Sequence, residues 1–162
     1  MPQPQGRELE EIRARRQQLR EKYLRPPGER PATTVQGVHH LALICRDVEQ
    51  TIQFYQEFLG FPLVELVENR DYAGSSHFFF DIGNHNLLAF FDFPGLDVGP
   101  YQEVLGGLHH VAISVEPEQW RSAVRRLEEA GVPHEVHSEV SVYFRDPDGA
   151  RLELIADPLG QL

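Results

Sequence analysis

Apolar residues are arranged differently in the first thirty-odd residues and in the rest of the chain. Leu9, Ile12, Leu19 and Tyr23 form a thin stripe at helical spacing among many Arg and Glu residues, which predicts a helix over 6–24. Such a helix is either an arm resting on the body or on a partner subunit, or a solvated helix. Pro26, Pro27 and Pro31 stop it, and residues 25–36 read as a linker. From Val38 the pattern becomes regular. Val38–Cys45 is a strand-like apolar run. Asp47 and Gln50 have the spacing of a capping box, ahead of Ile52, Phe54, Tyr55, Phe58 and Leu59 at helical spacing. Gly60 stands where a helix-ending glycine belongs. Strand-like runs follow at 62–68, 76–82 and 86–93, with Gly83-Asn84 as turn chemistry between the last two.

The second half repeats this order. Residues 108–115 read as a strand, and Pro117 opens a helix carrying Trp120, Val124, Leu127 and Ala130, ended by Gly131. Strands fit 134–136, 140–145 and 151–155, with Asp146-Pro147-Asp148-Gly149 as a turn. The two halves also match residue by residue. Gly37-Val-His39-His40-Leu-Ala-Leu aligns with Gly107-Leu-His109-His110-Val-Ala-Ile at an offset of 70 residues. The expected fold is therefore α+β: two tandem βαβββ modules plus an N-terminal helical arm. The arm and its linker take 1–36 and the paired-module domain 37–162, with module 1 at 37–94 and module 2 at 107–157. Gly95 to Gly107 joins the modules.

Composition narrows the possibilities. The apolar fraction, 41%, suffices for a core, and the charged fraction is 25%. A single cysteine, Cys45, excludes an internal disulfide, fits a reducing cytoplasm and reads as a small packed residue. The net charge of −10 is uneven: residues 1–30 carry +3 and residues 31–162 carry −13. An acidic body argues against binding a phosphate backbone. No apolar run approaches the ~20 residues of a membrane span. The expected partner is a small molecule, without nucleic acid or membrane.

The candidate chemistry follows from the repeat. Strand alternation puts His40, Ala42 and Ile44 on one face and His39, Leu41 and Leu43 on the other; His110 and His109 divide in the same way. Two symmetry-related histidines would approach each other if the sheets pair, and neutral imidazole is a common metal ligand. A register slip of one residue would exchange His40 and His110 for His39 and His109. Glu153, isolated among apolar residues in the last strand, offers a carboxylate. Its counterpart in module 1 is Ala89. The predicted metal ligands are thus His40, His110 and Glu153, a set that suits non-haem iron(II) when it forms a facial triad.

These motifs resemble the vicinal oxygen chelate superfamily, also called the glyoxalase, bleomycin-resistance and extradiol-dioxygenase superfamily. The likeness spans ~38–156. It is carried by His40-Leu-Ala-Leu, Asp47, Phe54-Tyr55 and Leu59-Gly60-Phe61 at the module start, and by Val142–Leu154 at the module end. The resemblance implies that the two βαβββ modules form a curved mixed sheet around a metal site, with one divalent metal ion on His40, His110 and Glu153, Fe(II) favoured and Mn, Zn or Ni as alternatives. Glyoxalase I types use a further glutamate where this chain has Ala89. Extradiol dioxygenases use two histidines and one glutamate. Their tyrosine ten positions before that glutamate corresponds to Tyr143, and a histidine nine before the tyrosine to His134. Fosfomycin-resistance enzymes share the tyrosine spacing but usually supply cations for a phosphonate, and this chain has no lysine after Lys22.

The resemblance thus favours an Fe(II) extradiol-type dioxygenase. In it Tyr143 would hydrogen-bond a substrate oxygen, and His134 or His137 would shuttle a proton. The alternatives are a metal-dependent isomerase, epimerase or lyase, and a non-catalytic drug- or ligand-binding module. Phe78, Phe80, Phe90 and Phe91 are either an aromatic wall of the site or plain core. The loop Asn69-Arg70-Asp71-Tyr72 either reaches the mouth of the cup or is solvated. A homodimer is expected, with modules paired within one chain or exchanged between chains.

Overall fold

The structure, a computed structural model, describes residues 4–160. The chain divides into two compact units, Met1–Gln36 and Gly37–Leu162. The expected arm and domain also include residues 1–3 and 161–162, which lie outside the described residues.

The first unit is mainly helix α1 (Gly6–Tyr23), which has no buried residue. Arg7 pairs with Glu11 at 2.9 Å and Gln17 with Glu21 at 2.8 Å, one helical turn apart. Such exposed pairs contribute only a few tenths of a kcal/mol each. A short 3₁₀ turn at Pro27–Glu29 follows.

The second unit holds two sheets of four strands. Module 1 comprises β1 (His40–Ile44), α2 (Val48–Ile52) continued by a π-helical stretch (Gln53–Phe58), β2 (Leu63–Glu68), β3 (Ser76–Asp81) and β4 (Leu87–Phe91). Module 2 comprises β5 (Val111–Ser114), α3 (Pro117–Glu129), β6 (His134–Ser138), β7 (Ser141–Arg145) and β8 (Arg151–Ile155). Strand orders are β1-β4-β3-β2 and β5-β8-β7-β6. The first and last strands of each module run parallel and the other pairs antiparallel, so both sheets are mixed. No strand pairing joins the two sheets among the described residues.

Local chemistry explains the elements. Asp47 caps α2 by accepting from the Gln50 amide at 2.8 Å. In the π-helical stretch the Leu59 amide bonds back to the Phe54 carbonyl at 3.0 Å. This widening lets Phe54, Tyr55 and Phe58 all join the core. Gly60 ends the segment at φ +83°, a conformation open to glycine without strain.

Both sheets turn one face towards a single shared core. Leu88 and Phe90 face it from β4, Phe78 and Phe80 from β3, Val142 and Phe144 from β7, and Leu152 and Leu154 from β8. Phe54 reaches Phe144 across the modules, with ring centroids 6.3 Å apart. The buried Tyr55 hydroxyl donates to Asp146 Oδ2 at 2.9 Å, tying the helix of module 1 to the Asp-Pro-Asp-Gly turn of module 2. Burial pushes the Asp146 carboxyl above the usual range, against hydrogen bonds from Tyr55 and the Ala150 and Asp148 amides. The opposite sheet faces carry the candidate chemistry.

Candidate functional site

Parallel pairing of β5 with β8 sets Ala112 beside Glu153, on the strand face that also carries His110 two residues earlier. On that open face His110 Nε2 lies 3.2 Å from Glu153 Oε2. Glu153 is only 6% exposed, and its other oxygen accepts from Ser141 Oγ at 2.5 Å. Among the described residues no Lys or Arg pairs with it. A buried carboxylate supported by one hydroxyl and one imidazole is costly without a cation, so the donor set suits a metal ion.

Antiparallel pairing of β7 with β8 places Tyr143 beside Glu153. The Glu153 carboxylate, together with partial burial, pushes the Tyr143 hydroxyl above its ordinary value. Arg151 lies over the Tyr143 ring at 4.6 Å, and the His110 ring stands edge-on to it at 5.5 Å. His137 also meets Tyr143 edge-on at 4.9 Å and contacts Glu135 at 3.2 Å.

His134 does not share this face. It pairs with Phe144, a core residue on the side opposite Tyr143, and its Nδ1 sits 2.9 Å from the Val132 carbonyl. The nine-residue spacing is present, but alternation turns the imidazole away. A register shift between Val136 and Ser138 instead brings His137 to the tyrosine.

His40 occupies the corresponding place in module 1, next to His77 and Phe79 at ring-centroid distances of 6.4 and 5.9 Å. His40 does not join His110 and Glu153. Among the described residues no three His, Cys, Asp or Glu side chains are grouped to hold a metal ion. The expected triad is therefore not assembled within one chain. The reason is the shared core: both modules bury their helix-bearing faces against each other and leave their open faces apart.

His39 and His109, each one residue before a predicted ligand, stand against it. His39 Nδ1 lies 2.8 Å from His40 Nδ1, and His109 Nδ1 lies 2.7 Å from His110 Nδ1. Each contact engages one ring nitrogen and leaves Nε2 for other bonds, as an outer-shell partner does. His77 lies on the same face of module 1 as His40. Its ring stacks on Phe91 at 3.8 Å and 19°, and its buried Nε2 has no hydrogen-bond partner. Burial and the nearby His40 and Arg70 lower its pKa.

The phenylalanines divide by face. Phe78, Phe80 and Phe90 are core, while Phe79 and the half-buried Phe91 lie on the open side. The 69–72 loop is internally bonded through Asn69 to Ser75, and Tyr72 donates to the Pro94 carbonyl at 2.9 Å. Cys45 is buried, which pushes its thiol up to about 12 and makes it unreactive. A cavity of about 310 Å³ opens beside Ala42, Arg46, Tyr101 and Asp148, and none of the metal candidates lines it. No helix among the described residues is long and apolar enough to cross a membrane.

Several known proteins are similar to this chain. The Bacillus subtilis protein named "Putative ring-cleaving dioxygenase MhqE" is 31% identical over 130 residues, covering 75% of this chain and 42% of its own. The chain thus spans less than half the length of that relative. The metallothiol transferase FosB of Staphylococcus epidermidis is 29% identical over 126 residues, covering 74% of this chain and 81% of its own. A glyoxylase/bleomycin resistance protein/dioxygenase domain from Frankia sp. EAN1pec superposes with a TM-score of 0.66 at 22% identity, over 77% of this chain and all (100%) of that one. The family model for the Glyoxalase/Bleomycin resistance protein/Dioxygenase superfamily matches residues 37–154, nearly the whole paired-module unit, and the chain belongs to that superfamily.

Proposed function

We propose that the protein is a metal-dependent enzyme acting on a small substrate with two vicinal oxygens, and that its reaction is ring-cleaving oxygenation of the extradiol type with Fe(II). The observation that carries this reading is the asymmetry of the two open faces. Module 2 offers an imidazole and a buried carboxylate, His110 and Glu153, while module 1 offers His40 with Ala89 in the carboxylate's place. Two imidazoles and one carboxylate leave positions free on the metal. Similarity to MhqE supports the choice of reaction.

Iron(II) bound there would lower the pKa of a catechol hydroxyl and hold both reactants together. The chain's own groups supply the rest. Tyr143 stands beside Glu153 and hydrogen-bonds a substrate oxygen. His137, backed by Glu135, takes or returns a proton near it. His134 has no part, because it faces the core. Phe79 and Phe91 give the module 1 side an aromatic surface.

The site closes between two copies: His40 comes from one chain, His110 and Glu153 from the other. The isolation of His40 supports this, as do Ile44 and Val67 on the open face of module 1, 52% and 44% exposed. Mixing inactive His40→Ala and His110→Ala proteins tests it. Sites between copies regain one intact His40–His110–Glu153 set per mixed dimer, and metal binding returns. Sites within a chain regain nothing.

Anaerobic purification with metal analysis, followed by catechol addition, tests the reaction. Stoichiometric iron and oxygen uptake are expected. Tight manganese, zinc or nickel without uptake would favour a second reading, a metal-dependent transferase, isomerase or lyase. That reading draws on FosB, which the match covers over 81% of its length. An empty site and binding unchanged in His110→Ala would leave a non-catalytic ligand-binding module.

A further inference from the structure

We propose that His77 is a substrate-contacting residue, supplying a hydrogen bond to an oxygen of the vicinal-dioxygen ligand from the module 1 side. This rests on the metal-dependent reading above. The argument begins with strand register. Phe79 pairs with Ala89 as Tyr143 pairs with Glu153, and His77 pairs with Phe91 as Ser141 pairs with Ile155. His77 is therefore the module 1 counterpart of Ser141, Phe79 of Tyr143 and Ala89 of Glu153.

In module 2 that trio serves a carboxylate: Ser141 donates to Glu153, and Tyr143 stands next to it. In module 1 the carboxylate has become a methyl group, so the residue at the serine position has nothing of its own to bond. A small or apolar side chain would fill such a place at least cost. The chain instead has an imidazole, held by Phe91 at 3.8 Å and Phe79 at 4.2 Å, with its ring 6.4 Å from that of His40. Its Nε2 is buried without a partner. Leaving a buried ring nitrogen unpaired is unfavourable unless a group from outside the chain bonds it. Phe91, stacked on the ring, and Phe79, tilted against it, fix the ring plane, so a bond made there costs little side-chain ordering. A ligand oxygen beside His40 is that partner, and the His77 contact adds to the one from Tyr143 on the opposite module.

The test uses the metal-loaded full chain and 4-nitrocatechol, whose colour reports binding directly, with metal content measured on the same samples. His77→Leu is expected to weaken binding roughly tenfold. His77→Gln, which keeps a polar group at similar reach, is expected to stay within about threefold of wild type. Metal content should be unchanged in both. Equal affinity of wild type and His77→Leu would overturn the proposal while leaving the metal-dependent reading intact. Loss of metal in both variants would also overturn it, making His77 a metal ligand instead. Failure of loaded wild-type protein to bind 4-nitrocatechol would remove the reading and the proposal together.

Discussion

The two modules share strand order, pairing and a histidine pair at the entrance to the first strand, yet their open faces differ in kind. That of module 2 is polar and interlinked, with Ser141, Glu153, His110, Tyr143 and His137 joined in a chain of contacts. That of module 1 is aromatic, with His40 and His77 set among Phe79 and Phe91. The repeat supplies a symmetric scaffold, and the chemistry lies where the symmetry breaks. In the proposed function the polar face holds the cation. The other face adds two imidazoles, His40 and His77, and an aromatic surface. Joining a metal to an oxygen-bearing ring, as proposed, uses both kinds of face.

The largest effect is expected from removing the polar face's centre. Glu153→Ala should abolish metal binding, read by metal analysis after dialysis. Retention of stoichiometric metal would show that the asymmetry lies elsewhere. Ser141→Ala removes only the hydroxyl that orients Glu153, and should weaken metal affinity by about 10-fold or more. If Ser141→Ala binds as tightly as wild type, the 2.5 Å contact is packing rather than support.

Most of the fold could be read from the sequence because its signals are local. Asp47, Gly60, Pro117 and Gly131 mark helix ends, and the repeat aligns the two modules without any long-range information. The same alignment singles out His110 and, through Ala89, the isolated Glu153, which stand 3.2 Å apart. The rest needs non-local facts. The family resemblance sets His134 beside Tyr143 by its spacing, whereas its face depends on how β6 pairs with β7 and on the bulge before Ser138. The run His77-Phe78-Phe79-Phe80 is too uniformly ring-bearing to show which residues face the core. The separation of His40 from His110 depends on contacts such as Phe54–Phe144 and Tyr55–Asp146, which no local pattern announces.

That junction between modules gives the next prediction. Tyr55→Phe deletes the hydroxyl that Asp146 accepts from and leaves a buried carboxylate oxygen unpaired. The loss should be about 1–3 kcal/mol in urea denaturation, with an unchanged slope. A loss near zero would mean the modules are joined by apolar packing alone.

The smallest effect, and the one that isolates electrostatics at the junction, is the pH dependence set by Asp146. Burial is the main influence on this carboxyl and raises its pKa in the folded chain. The fold therefore binds the proton more tightly than the unfolded chain does. Its stabilising contribution is complete below the unfolded value near 3.8 and is lost as pH rises through the raised folded value. Asp146→Asn removes that titration and can keep the geometry. The amide oxygen accepts from the Asp148 and Ala150 amides, as Oδ1 does at 3.0 and 2.8 Å, and the amide nitrogen donates to Tyr55, whose hydroxyl can also accept. The stability of Asp146→Asn relative to wild type should therefore improve as pH is raised from strongly acidic towards neutral. Denaturation curves that run parallel across that range would show that the carboxylate is as well solvated in the fold as outside it. The junction would then contribute packing to the union of the two modules and no charge.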